Sequence, residues 1–244
     1  MQPLTATQPL TWQELRGPGA TLAAGVSAGF VSGLLFGGLG GRLAMFALRL
    51  TSDPALRGAR TDDGFTIGVF STETLFLLGV TAGLGMLGGL FYLVVRSWMP
   101  NRWRVPAMAL FFGLVGGAGL VSPDGIDFRV LSPLPLAVAM FVAIAVAYGI
   151  LMPWLTERML QEDSVMRRGR WTWIIGLLPL VLANIVGLLV LLLALLVLVV
   201  RRSAPSTVAA WHSPIATWVG RAVLSIIGLA KGVELVRDSI EIVS

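Results

Sequence analysis

The chain has 244 residues, of which 56% are hydrophobic and only 13% charged, with a formal net charge of +5. A soluble domain is about one-quarter charged, so these polar residues could not coat a globular surface, and a mean hydropathy of +0.84 points to a chain embedded in lipid. Cysteine is absent, which excludes disulfides, thiolate nucleophiles, zinc–thiolate sites and iron–sulfur ligation.

The basic residues are arginines except for Lys231, a skew that fits the codon usage of a GC-rich bacterial genome. A pI near 10.9 could suggest nucleic acid, but the arginines form no single stripe. They sit between apolar runs, where flanking charge orients membrane helices, so no nucleic-acid partner is expected. Residues 1–20 carry Glu14 and Arg16 but no basic region leading directly into a short apolar stretch and an A-x-A site. They read as a cytoplasmic tail and not as a cleavable signal.

Residues 21–244 read as one transmembrane domain of about six apolar runs, each near the roughly 20 residues that span hydrocarbon. The first covers Thr21 to Leu43 and can continue to Leu50, with Arg42 inside it. The second, Thr74–Val95, follows Ser71 and Glu73, which place a carboxylate in the positive first turn. The third is Val105–Val121. The fourth, Leu134–Leu155, follows Ser132-Pro133, a capping hydroxyl before proline at a helix start. The fifth, Trp171–Val200, has no charge from Ile174 to Val200, only Pro179 and Asn184 interrupt it, and its length predicts a tilted helix. The sixth, Pro214–Val236, starts behind the Ser213-Pro214 cap and contains Arg221.

Arginine counting sets the expected orientation. Arg96, Arg102 and Arg104 fall between runs two and three, and Arg158, Arg167, Arg168 and Arg170 between runs four and five. The positive-inside rule then puts these loops and both termini in the cytoplasm of a cell membrane. Trp98, Trp103, Trp154, Trp171, Trp173 and Trp211 all stand at run ends, as interfacial belts require.

Residues 61–71, with Asp63-Gly64, parallel residues 122–132, with Asp124-Gly125, and Phe36-Gly37-x-x-Gly40-Gly41 parallels Phe112-Gly113-x-x-Gly116-Gly117. This suggests a tandem hairpin repeat of 21–96 and 105–158, as in many transporters. Run two repeats the glycine pattern as Gly85-x-x-Gly88-Gly89. Small residues let membrane helices approach closely, so these nine glycines are the expected packing faces of runs one, two and three.

Charge inside a span is costly and tends to be paired or functional. Arg221, about two turns into run six on a stripe with Thr217, Ser225 and Gly228, is grouped with Arg42 and Glu73 as a candidate polar site on the outer half of the bundle. His212 reads as an interfacial residue, Asn184 as an interhelical hydrogen-bonding group, Asp124 and Asp127 as an acidic turn, and Lys231 as a partner of Glu234. No metalloprotease, serine-hydrolase or P-loop motif is present. The expectation is an all-α polytopic membrane bundle without enzymatic activity, cofactor or metal. It is transport or channel-like, or else a scaffold or accessory subunit packed against a membrane partner or a second copy.

Overall fold

In the computed structural model the described residues are 12–52, 72–125, 128, 132–164, 166, 171–182, 187–189, 192, 193, 196, 199 and 205–243; for 12–16, 72, 73, 182, 205, 207 and 208 only the backbone is described. The chain is an all-α integral membrane bundle, with no strand among the described residues. We number the helices α1 (Trp12–Ser32), α2 (Gly41–Thr51), α3 (Thr72–Val95), α4 (Arg104–Leu120), α5 (Leu134–Leu160), α6 (Thr172–Ile175), α7 (Leu178–Leu182), α8 (Pro205–Trp211) and α9 (Pro214–Val243). Gly33–Gly40, joining α1 to α2, is π-helical.

Four stretches are long and apolar enough to cross a membrane: Gly17–Thr51, Thr74–Trp98, Asn101–Leu120 and Leu134–Leu160. Large apolar side chains cover their outer faces, among them Leu75, Phe76, Leu84 and Leu110. Such a surface is stable only in hydrocarbon. The expected tail is helical from Trp12 onward, and Ala20 is already buried.

Two antiparallel hairpins, α1 with α3 and α4 with α5, form the frame. Lipid removes the hydrophobic drive between helices, so close backbone contact has to replace it. The α1–α3 seam uses glycines four residues apart: Gly25 lies against Gly89, Gly29 against Gly85, and Gly33 against Thr81 and Gly85, backbone to backbone. Gly37 and Gly38 extend the seam onto Thr81 and Leu78. Gly40 has only Ile144 and its own helix nearby, and Gly41 has nothing within 4 Å. The glycines of α4 face elsewhere, Gly113 and Gly116 towards Val146 and Ala145 of α5, and Gly117 towards Val142 and Leu235. Gly88 carries the hydroxyl of Tyr148, which donates to the Gly85 carbonyl at 2.8 Å.

The frame defines two ends. At the basal end lie the start of α1, the turn from α3 to α4 and the end of α5. At the distal end lie the end of α2, the end of α4 and the start of α5. There the Thr51 hydroxyl donates to the Ser132 carbonyl at 2.7 Å. The helix cap before α5 is Pro133, with no side-chain hydrogen bond, whereas Ser213 Oγ accepts from the Ala216 N–H at 3.2 Å as its position predicts.

Two expectations change. The fifth run is not one continuous helix: α6 ends at Ile175, the chain turns at Gly176-Leu177, and α7 restarts at Leu178. Pro179 lacks the N–H that would bond the Ile175 carbonyl, and its ring would clash there. Ser27 Oγ holds the turn by donating to the Gly176 carbonyl at 2.7 Å. Six alternating crossings would also make α9 antiparallel to α4, but it runs parallel to it. Gly220 meets Trp98 at the basal end, while Leu235 meets Gly117 and clusters with Leu48, Val121 and Phe141 distally. Trp173 beside Ala20 and Trp211 beside Val94 put both ends of the intervening stretch at the basal end. The Trp12 end of α1 and the Val243 end of α9 thus lie at opposite ends of the bundle.

Gly85→Ala would drive a methyl into the Gly29 backbone and should cost about 1–3 kcal/mol, while Gly41→Ala should be neutral or gain up to about 1 kcal/mol from helix propensity. Chemical unfolding followed by circular dichroism compares them, and equal stability would count against the seam. Reporter fusions before α1 and after α9 should report opposite sides of the membrane.

Candidate functional site

Among the described residues, a polar constellation gathers at the basal end around Glu157, in the last turn of α5. Tyr92 and Arg96 stand four residues apart, which puts them on one face where α3 meets the turn. Tyr92 is fully buried, and its hydroxyl donates to Glu157 Oε1 at 2.6 Å. Arg96 donates Nε to Oε1 and Nη2 to Oε2, both at 2.9 Å, a bidentate pair. Arg104, opening α4, donates Nη1 to Oε2 at 3.0 Å and Nε to the Arg96 carbonyl at 3.2 Å. One carboxylate thus accepts four hydrogen bonds from two helices and the turn between them, which is about its full acceptor capacity. Only 15–29% of these charged side chains is exposed, so solvent weakens the pairing less than at a free surface.

Above the clamp, aromatic rings fill the space between α3, α4 and α5. Phe91 stacks on Phe111 at 5.4 Å, and Phe112 meets Tyr148 edge-on at 4.9 Å. Beside it, Trp98 packs on Trp211 at 4.6 Å, and Trp211 Nε1 donates to the Val94 carbonyl at 3.2 Å.

The polar site expected from Arg221, Arg42 and Glu73 does not assemble. Arg221 is basal: its Nε donates to the Trp98 carbonyl at 2.6 Å, and its guanidinium stands 5.6 Å from the Trp218 ring. Among the described residues its hydrogen-bond partner is a carbonyl and not a carboxylate. Arg42 is 3% exposed in α2, on the distal half with Ala44 and Leu48. Glu73 opens α3 at the distal end, and its side chain lies outside the described residues, as do Asp62, Asp63, Asp127 and Asn184. The parallel placement of α9 separates Arg221 from the other two. Asp124 is on the α4–α5 link, His212 is exposed ahead of α9, and Lys231 pairs with Glu234 at 2.6 Å.

From the sequence Arg96 and Arg104 read as orienting charges, and Glu157 falls two residues past the fourth apolar run, where nothing local singles it out. The signal lay in the combination: Tyr92 and Arg96 share a helical face, and Glu157 follows an apolar run. Among the described residues no group of three His, Cys, Asp or Glu could hold a metal ion. No family model, curated protein or solved structure matches this chain.

Glu157→Gln removes the charge that two guanidinium groups share and should destabilise the protein by about 1.5–3 kcal/mol, whereas Tyr92→Phe should cost about 1 kcal/mol. Denaturant titration of both variants tests the ranking, and an unchanged midpoint for Glu157→Gln would remove the clamp from the stability account.

Proposed function

We propose that this protein is a non-catalytic packing subunit of a bacterial cell membrane, a scaffold or accessory that docks a helix of another membrane protein. The observation that carries this reading is the face that α5 leaves open. Ala139, Ala143 and Ala147 recur every four residues there and, with Val138, Val142 and Val243, line an apolar groove. Small residues at that spacing admit a neighbouring helix closely. The seam glycines support the same reading, since they face the partner helix's backbone and the side chains of Leu93, Leu78 and Thr81.

Transport retains one specific support. Arg42 is buried within the Gly17–Thr51 span, two residues past a π-helical stretch, and both features mark functional sites in membrane helices. Arg96, Arg102, Arg104 and Arg158 favour a cytoplasmic basal end, which puts the start of α1 inside and the end of α9 outside.

A photoreactive residue replacing Ala143 should crosslink in native membranes to a defined protein, while one replacing exposed Leu75 should label lipid. Proteoliposomes should pass chloride, phosphate and potassium no faster than about twice the rate of empty vesicles, the helix seams being closed to ions. Saturable flux of any of these ions, lost in Arg42→Gln, would overturn the scaffold reading in favour of transport.

A further inference from the structure

Three guanidinium groups gather around one turn of backbone, Arg96–Trp98, at the basal end. Arg96 opens the turn and grips Glu157, Arg104 Nε bonds the Arg96 carbonyl, and Arg221 Nε reaches across from α9 to the Trp98 carbonyl. Glu157 neutralises one of the three charges, and its acceptor positions are filled, which leaves a surplus of two. Arg96 Nη1, Arg104 Nη2 and both Nη atoms of Arg221 have no acceptor among the described residues, yet protein does not enclose them. In the same turn the Trp98 indole N–H is enclosed and has no acceptor among the described residues. The surroundings add charge of the same sign: Arg102 and Arg158 are exposed nearby, against Glu162 and Asp163 on the link after α5.

The aromatic residues fix the depth. Trp98, Trp211 and Trp218 surround the Arg221 contact, and Trp103 and Trp154 are exposed at the same end. Tryptophan settles at the level of lipid headgroups. Guanidinium forks match the geometry of phosphate oxygens, and basic pockets between membrane helices suit anionic headgroups.

The geometry points to a binding site for a phosphate-bearing anion on the Arg96–Trp98 turn, with Arg221 and Arg104 as its donors and an anionic phospholipid headgroup as the chemistry it takes. The site is independent of the docking groove on α5. The purified full-length protein in detergent micelles is titrated with dioleoyl phosphatidylglycerol, with dioleoyl phosphatidylcholine and with inorganic phosphate, following tryptophan fluorescence. Phosphatidylglycerol should saturate at a concentration about tenfold lower than phosphatidylcholine, and Arg221→Gln should remove most of that preference, because each arginine near an anionic surface contributes to it. Arg102→Gln, outside the site, should keep it. A saturable response to inorganic phosphate, lost in Arg221→Gln and without preference between the lipids, would uphold the phosphate site and make a free anion its ligand. Equal response to both lipids with no response to phosphate overturns the proposal, and so does a native-like preference in Arg221→Gln. The comparison of lipids on the native protein needs no variant, and Arg221→Lys, which keeps the charge but loses the fork, serves if Arg221→Gln loses helix content.

Discussion

The contact of Gly25, Gly29 and Gly33 with Gly85, Gly89 and Thr81 is the constraint on which the rest of the bundle depends. In water a helix pair can be held by burying large side chains, but in lipid the tails are as apolar as leucine, and packing has to supply the attraction. The five glycines carry no side chain into the seam, and that brings two backbones together. That fixes the spacing and direction of α1 and α3. It also fixes where α3 ends, and therefore where Tyr92, Arg96 and Trp98 stand.

The second hairpin is held differently. The α4–α5 pair sets Gly113 and Gly116 against the side chains of Val146 and Ala145, and adds one backbone contact, Gly149 on Met108 and Ala109. Aromatic rings of α3 and α4 fill the space beside it. What joins the two hairpins at the basal end is electrostatic. Glu157 of α5 takes hydrogen bonds from the last turn of α3, the following turn and the first turn of α4. A charge this close to hydrocarbon is tolerated because it is paired and fully hydrogen-bonded. The carboxylate therefore sets how the end of α5 meets the α3–α4 turn.

The two ends of the molecule differ as a result. The basal end concentrates arginine and tryptophan around a single carboxylate clamp. The described distal contacts include hydroxyl-to-carbonyl bonds, the Lys231–Glu234 pair and an apolar cluster of Leu48, Val121, Phe128, Phe141 and Leu235. Positive charge and indole rings on one side fit a bundle oriented by the membrane interface. The open, alanine-lined face of α5 runs from Pro135 at the distal end to Ile150 and is the surface on which the proposed partner helix would pack.

The sequence by itself determined the solvent of this protein and most of its helices. Apolar runs of about 20 residues admit only helical spans in lipid, because every backbone polar group has to be satisfied within the segment. The starts of α3, α5 and α9 and the tryptophans at run ends were legible for the same local reasons. Only the tertiary structure decided which glycines form the seam, that Arg96 and Arg104 share Glu157 more than 50 residues away, and that α9 lies parallel to α4. Helices that are apolar all round mark no single inward face. A glycine-rich stretch such as Gly33–Gly41 offers many equivalent contacts, and shape across distant segments selects among them. The break at Gly176 shows the same division: Pro179 made an interruption readable, but only packing against Ser27 and Ala23 turned it into a change of direction.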